Sequence, residues 1–164
     1  MIRYMVELKP QGRLFRMKKW FALMLTVLLV IAAVSASAQT VTCTSGGFSL
    51  TLPDDFSKVS KSSADDPDLK LHYSNGSVDM AVYVSYAGSD NSFQVLTGNE
   101  QESGQVRIGG VRMNYARGSD SQGPWKVYSW ISSGNSVSAY FIWYGDDDAA
   151  LEIIDTVMNS ISFD

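Results

Sequence analysis

Hydrophobic and polar residues alternate along most of the chain after residue 40, which is the pattern of β-strands with one buried face. The most regular stretch covers 78–86, where every second residue from Val78 to Tyr86 is apolar. Similar alternation predicts further strands at 41–44, 48–52, 69–73, 105–108, 111–115, 125–132 and 136–144. Because short glycine-containing turns separate many of these segments, the pattern predicts antiparallel hairpins.

Two of these turns have strong sequence signals. Asn75-Gly76 predicts a two-residue hairpin turn in which both residues have positive φ, and Gly109-Gly110 predicts another tight hairpin. The polar segment 53–68, which contains Pro67 and five aspartates, predicts a loop with at most one helical turn.

Helical periodicity replaces strand alternation near the end of the chain. It is carried by six apolar residues at i, i+3, i+4, i+7, i+8 and i+11, which are Ala150, Ile153, Ile154, Val157, Met158 and Ile161. Asp146-Asp147-Asp148 precede them, and acidic residues stabilise a helix N-terminus. A shorter helix is predicted from Ser92, with Phe93, Leu96 and Glu100 on one side. The order of elements predicts a single α+β domain with an antiparallel sheet.

The first 38 residues have the organisation of an export signal. Met17-Lys18-Lys19 is basic, 20–34 is apolar, and Ala36 and Ala38 are small residues at the positions that a signal peptidase reads. We therefore expect cleavage between Ala38 and Gln39, an export signal at 1–38 and a mature domain at 39–164. Met17 is an alternative start. The alternative to cleavage is an uncleaved membrane anchor.

Charge is divided unevenly between these two parts. Residues 1–38 carry six basic residues and one acidic residue, whereas 39–164 carry seven basic and sixteen acidic residues, a net charge of −9. This charge disfavours nucleic acid and anionic membrane surfaces as partners of the mature domain, and favours neutral or cationic ligands. A membrane contact is expected only through the export signal before cleavage. Cys43 is the only cysteine, so a disulfide framework is excluded, and we expect it to be a buried or half-buried strand residue.

Few residues have the spacing of a catalytic or metal site. His72 is the only histidine, and no nucleophile motif accompanies it. One histidine and one cysteine are too few for a zinc site. The aspartates at 65–68 and 146–148 do not follow a calcium-loop pattern, and a solvated loop and a helix N-terminus explain them. We therefore predict no catalytic residue, no metal and no cofactor. A small hydrolase that uses His72 is the enzymatic alternative.

The strands around Gly134-Asn135 carry the most distinctive side chains, the aromatic residues Tyr128, Trp130, Tyr140 and Tyr144. A two-residue turn there pairs Tyr128 with Phe141, whereas a three-residue loop pairs Tyr128 with Tyr140 and gathers the aromatic residues on one face. The sequence leaves both registers open. These four residues are the predicted ligand-binding platform for a glycan or peptide; the alternative is burial beneath a helix.

Three segments resemble a known family. Residues 47–56 (GFSLTLPDDF) open the domain, Ile108-Gly109-Gly110-Val111 forms the central hairpin, and 154–161 closes the domain. Together they resemble the PsbP-like α/β/α sandwich, whose exported bacterial members include the DcrB-type envelope proteins, over most of residues 46–163. The resemblance implies a twisted antiparallel sheet with helices packed on its faces and a role without enzyme activity.

Taken with the export signal, this resemblance implies a secreted or periplasmic protein of the bacterial cell envelope. We expect a binding or assembly module for an unknown protein, peptide or glycan. A purely structural domain of an envelope complex is a further alternative.

Overall fold

Ten strands and one α-helix follow one another in the residues that the computed structural model describes, which are 38–60, 66–86 and 99–164. The strands are β1 (Ala38–Cys43), β2 (Phe48–Pro53), β3 (Ser57–Lys58), β4 (Leu69–Ser74), β5 (Val78–Tyr86), β6 (Glu100–Ile108), β7 (Val111–Asp120), β8 (Gly123–Ser132), β9 (Asn135–Trp143) and β10 (Ser162–Phe163). The helix α1 (Asp147–Asn159) lies between β9 and β10, and a single 3₁₀ turn (Thr44–Gly46) joins β1 to β2.

The described strands form two antiparallel sheets. Seven strands make the larger sheet in the order β3-β4-β5-β9-β8-β7-β6, and three strands make the smaller sheet in the order β1-β2-β10. The β4-β5, β6-β7, β7-β8 and β8-β9 neighbours are hairpins. Because each of them pairs with the next strand in sequence, local turns explain most of the topology.

The main core lies between one face of the larger sheet and a layer made by the smaller sheet and α1. Strand β2 contributes Phe48, Leu50 and Leu52 to it, all almost completely buried, and α1 contacts both β2 and β9. From the larger sheet, Met80 of β5 and Phe141 of β9 are equally buried. We refer to this side of the larger sheet as the helix face.

A smaller cluster lies on the opposite face of the larger sheet. Ala116, Trp125 and Val127 are buried there, and Tyr140 and Ile142 pack against them. This explains why β8 and β9 carry large apolar residues in alternate positions on both sides: both faces bury apolar surface.

The helix α1 follows the predicted periodicity. Its side chains Ala150, Ile154, Val157 and Met158 are buried. Asp146 is the N-cap residue, and its carboxylate accepts hydrogen bonds from the backbone N–H groups of Asp148 and Ala149 at 2.9 and 3.1 Å. At the other end, the Ser160 hydroxyl accepts from the Thr51 N–H at 2.8 Å and so fixes the end of the helix to β2.

Most predicted elements are confirmed. All the predicted strands are present, as are the final helix and the Gly109-Gly110 hairpin, in which Ile108 pairs with Val111. Cys43 is a buried strand residue, as predicted. The predicted loop 53–68 also contains the two-residue strand β3, because Ser57 and Lys58 pair with the end of β4.

The prediction for the Asn75-Gly76 turn is wrong in one respect. Of these two residues only Gly76 has positive φ, at 84°. The Asn75 carboxamide oxygen instead accepts hydrogen bonds from the N–H groups of Ser77 and Val78, at 3.0 and 2.8 Å. This side-chain bridge holds Asn75 outside the left-handed region, so the connection uses Gly76 and Ser77 as its central residues.

Two predictions fall mainly outside the described residues. The export signal at 1–38 lies outside them except for Ala38, with which β1 begins. The short helix predicted from Ser92 also lies outside them, apart from Glu100, which is the first residue of β6. Among the described residues, no helix has the length and apolar character needed to cross a membrane.

Candidate functional site

A hollow of about 360 Å³ opens on the helix face between α1 and strands β6, β7 and β8. This volume is at the lower end of the range of small-molecule pockets. We call it the tyrosine hollow. It is lined by Glu102, Val106, Ile108, Tyr115, Arg117, Lys126, Tyr128, Leu151, Asp155, Met158 and Asn159.

Strand register brings the polar side chains of the tyrosine hollow together. Glu102 of β6 pairs with Arg117 of β7, which in turn pairs with Lys126 of β8. Tyr115, two residues before Arg117 on β7, pairs with Tyr128, two residues after Lys126 on β8. Since residues two apart on a strand share a face, all five side chains project to the side that α1 covers.

Asp155 of α1 joins the helix to this part of the sheet. Its Oδ1 atom accepts hydrogen bonds from Lys126 Nζ at 2.9 Å and from the Tyr128 hydroxyl at 3.1 Å. The Lys126 ammonium also lies 5.1 Å from the centroid of the Tyr128 ring, within the range of a cation–π contact. One carboxylate therefore fixes both a cation and a tyrosine at the wall of the hollow.

A second ion pair holds the start of α1. Arg117 Nη2 donates to Asp147 Oδ2 at 3.1 Å, and Trp143 Nε1 donates to Asp147 Oδ1 at 2.8 Å. Arg117 also lies over the Trp143 ring, 5.7 Å from its centroid. Both cations of the hollow are thus already paired with a carboxylate of α1.

Glu102 differs from the other charged groups because its hydrogen-bond partner is neutral. The Tyr115 hydroxyl donates to Glu102 Oε1 at 2.9 Å. Gly104 of β6, which lies opposite Tyr115 in register, leaves room for this contact, since a Cβ atom there would lie 3.0 Å from the Tyr115 ring. No described cation forms an ion pair with Glu102, so its carboxylate leaves a surplus negative charge at the edge of the hollow.

Both tyrosines are held in the protonated form. Burial, together with the nearby Asp155 carboxylate, raises the pKa of Tyr128. The hydrogen bond to Glu102 raises the pKa of Tyr115. Each phenol therefore acts as a hydrogen-bond donor at neutral pH.

The residues that line the tyrosine hollow are suited to binding. No serine, cysteine or histidine is among the described residues lining it, and its two tyrosines are protonated donors. Its apolar part, formed by Val106, Ile108, Leu151 and Met158, can take hydrocarbon beneath a charged and aromatic rim.

The predicted aromatic platform is not a single surface. Tyr128 and Trp130 lie on the helix face and are only 4% exposed each. The Trp130 ring meets Phe48 edge-on at 5.3 Å. Tyr140 and Tyr144 belong to the opposite face, where Tyr140 stacks on Trp125 at 6.1 Å and Tyr144 is 52% exposed. The prediction that the four residues share one face is wrong, although Tyr128 does line the tyrosine hollow.

The reason is that the β8-β9 hairpin has a two-residue turn, which lies one residue earlier in the chain than the predicted Gly134-Asn135 turn. Ser132 pairs with Asn135, so the turn residues are Ser133 and Gly134, with φ of 51° and 77°. As a result Tyr128 pairs with Ala139. The Asn135 carboxamide donates to the Ser45 carbonyl at 3.1 Å, and this contact holds Asn135 within the strand rather than in the turn.

His72, the residue of the hydrolase alternative, lies in β4 far from the tyrosine hollow in strand order. It borders a depression with Lys58, Ser60 and Lys70. No hydrogen bond joins its imidazole to a described serine hydroxyl or carboxylate. Among the described residues, no group of three or more histidine, cysteine or acidic side chains is arranged to hold a metal ion.

Sequence reasoning did not identify the charged residues of the tyrosine hollow. The predicted strand 111–115 ends before Arg117, whereas β7 continues to Asp120. Asp120 pairs with Gly123, and this register opposes Arg117 to Lys126. The sequence did contain a signal for this hairpin, the segment Asp120-Ser121-Gln122-Gly123, which is rich in turn-forming residues.

Comparison with solved structures gives the fold. The solution structure of cyanobacterial PsbP (CyanoP) from Synechocystis sp. PCC 6803 is similar to this chain with a TM-score of 0.58 and 15% identity, over 80% of this chain and 96% of that one. A crystal structure from Bacteroides thetaiotaomicron VPI-5482 has a TM-score of 0.47 and 14% identity, over 77% of this chain and 48% of that one. No family model and no curated protein sequence matches the chain. The chain has a PsbP-like α+β fold.

Proposed function

From the PsbP-like fold and the tyrosine hollow we propose that the protein is a non-enzymatic binding or assembly module of the bacterial cell envelope. The observation that carries the proposal is the hollow itself. It combines an apolar floor, protonated tyrosines and charges that are paired in place, and such groups orient a ligand without transforming it.

The charges of the hollow favour a cationic ligand. Lys126 and Arg117 are neutralised by Asp155 and Asp147. Glu102 forms no ion pair with a described cation, although Arg117 lies opposite it in register. The net charge of −9 over residues 39–164 acts in the same direction. A lysine or arginine side chain matches this arrangement, because its apolar stem can cover the floor while its charged end reaches Glu102. We propose that the ligand is a peptide segment that presents such a side chain.

Export is part of the same proposal. The basic, apolar and small-residue sequence of 17–38 supports cleavage after Ala38. We expect N-terminal sequencing of protein from the extracytoplasmic fraction of a bacterial host to begin at Gln39. Membrane-bound protein that retains 20–38 would contradict cleavage.

Binding is tested by calorimetric titration of the protein with the capped tripeptide Ala-Lys-Ala. The acetyl-lysine form of the same peptide, which has no charge, serves as the comparison. We expect the lysine peptide to bind and the acetylated peptide to bind about tenfold more weakly, since one lost charge contact at a half-desolvated site is worth about 1.4 kcal/mol.

Glu102→Gln is the decisive variant, because glutamine can still accept the Tyr115 hydrogen bond but carries no charge. It should weaken binding of the lysine peptide by a similar factor. Glu152→Gln, on the exposed side of α1 and outside the hollow, is the matched control and should leave the affinity unchanged. Equal losses of affinity in both variants would mean that only the overall charge of the protein matters. That result would contradict binding at the tyrosine hollow.

A further inference from the structure

Two arginines face each other beside the turn of the β6-β7 hairpin. Arg107 and Arg112 are directly opposed in register, so their side chains lie on the same face, opposite to α1. Like charges at opposed positions destabilise a strand pair. Both side chains are exposed, and neither forms an ion pair with a described carboxylate. Arg107 Nη1 donates a hydrogen bond to the Gly110 carbonyl at 2.9 Å.

Arg117, on the same strand as Arg112, and Lys126 of the neighbouring β8 are arranged differently. Arg117 and Lys126 are each paired with a carboxylate of α1. Because the two arginines are adjacent, their positive charges add at one place in a segment, 39–164, that carries sixteen acidic residues. They form a positive surface that attracts anions which the rest of the domain repels.

A second hollow, of about 390 Å³, adjoins Arg112 on this face. We call it the arginine hollow. Gln105, Arg112, Asn114, Ser129, Ile131 and Ser136 line it, together with Trp130. Gln105 Nε2 donates to Asn114 Oδ1 at 3.0 Å, which fixes the two carboxamides beside the guanidinium group. Ile131, at its border, is 62% exposed.

The lining matches the chemistry of an acidic sugar. A guanidinium group binds a carboxylate through two parallel hydrogen bonds. Serine hydroxyls and carboxamides both donate and accept, as recognition of sugar hydroxyls requires. An exposed isoleucine offers apolar surface to the C–H side of a sugar ring.

We propose that the arginine hollow binds an acidic saccharide, a sugar ring that bears a carboxylate. Arg112 binds the carboxylate, Arg107 adds positive charge beside it, and Asn114 and Ser129 contact ring hydroxyls. This site is independent of the tyrosine hollow, because the two lie on opposite faces of the larger sheet.

The proposal is tested by titrating the full chain with a tetramer of galacturonic acid and, for comparison, with the neutral tetramer of galactose. We expect the acidic tetramer to bind at up to millimolar concentration and the neutral tetramer to bind at least about tenfold more weakly. Arg112→Gln should lower affinity for the acidic tetramer by about tenfold or more. Lys58→Gln removes one positive charge from the opposite end of the larger sheet and should leave the affinity within about twofold.

Four outcomes of the titrations would overturn the proposal. These are no binding of the acidic tetramer, equal binding of both tetramers, an equal loss in the Lys58 variant, and acetate or a glutamate-containing peptide binding as tightly as the acidic tetramer. Amide chemical shifts give a second readout that does not depend on any variant. Acidic tetramer that binds at this site should shift the resonances of Asn114, Ser129 and Ser136, and changes confined to other residues would contradict the assignment.

Discussion

Ile154→Ala is the substitution that tests most directly whether α1 is part of the core. Ile154 lies in the middle of the helix, is completely buried, and belongs to the same cluster as Leu52, Met80 and Trp143. The substitution keeps a good helix former, so its effect reports packing rather than helix propensity.

The size of the effect follows from what is removed. Three carbon atoms leave an apolar environment at about 0.8 kcal/mol each, which gives about 2.4 kcal/mol. The cavity that remains adds to this, so the free energy of unfolding should fall by about 2–5 kcal/mol. With a urea dependence of about 2 kcal/mol/M, a loss of 3 kcal/mol moves the unfolding midpoint by about 1.5 M.

Urea denaturation followed by tryptophan fluorescence provides the assay, because Trp125, Trp130 and Trp143 are all buried and report loss of the core. Glu152→Ala, at an exposed position of the same helix, is the control and should change stability by no more than about 0.5 kcal/mol. An unchanged midpoint in Ile154→Ala, or equal shifts in both variants, would refute the packing of α1 against the sheets.

Three further predictions concern single side chains. Asp146→Ala removes the N-cap acceptor of α1 and should lower the free energy of unfolding, measured by urea denaturation, by about 1 kcal/mol. Asp146→Asn keeps a capping oxygen and should retain most of that stability. Gly118→Ala places a Cβ atom 2.5 Å from the Trp125 ring and against the Asn99 carbonyl. This overpacking should destabilise the fold by about 1–3 kcal/mol, which is measured as a lower midpoint of thermal unfolding. Burial raises the pKa of Tyr140 to about 12 from its usual 10.0, so the unfolded chain ionises first and stability should fall as pH rises from 10 toward 12. Tyr140→Phe should reduce that fall, and an unchanged pH profile would contradict it.

Much of the local structure was predictable because it depends on nearby residues. Alternation in β5 and helical spacing in α1 each record one buried face, and the structure buries those faces. The Gly109-Gly110 turn is likewise a local signal. In these segments, periodicity and turn chemistry point to the same structure.

The register of β8 and β9 was not predictable in the same way. Turn sequences there allow several hairpins, and in the observed one Asn135 donates a hydrogen bond to the Ser45 carbonyl, ninety positions away in the chain. Because a shift of one residue moves a side chain to the other face, a two-residue turn separates Tyr128 from Tyr140, whereas the three-residue loop would have paired them. A contact between residues so far apart produces no periodic pattern in the sequence, so it could not be predicted from one.

The tyrosine hollow could not be predicted from the sequence for a related reason. Its polar residues come from β6, β7, β8 and α1, and none of them stands out alone. Asp155 lies at an exposed position of α1, and only the packing of the helix brings it to Lys126. Tertiary structure thus creates the site from residues that are ordinary in sequence.

The central claim is that the tyrosine hollow binds a peptide with a basic side chain, and amide chemical-shift mapping tests it most directly. Isotope-labelled full-length protein is titrated with the capped tripeptide Ala-Lys-Ala, and shifted resonances are assigned to residues. We predict that the changes concentrate at Glu102, Tyr115, Lys126 and Asp155, and that the face carrying Arg112 remains unchanged. Changes confined to residues around His72, or no change at saturating peptide, would contradict the claim.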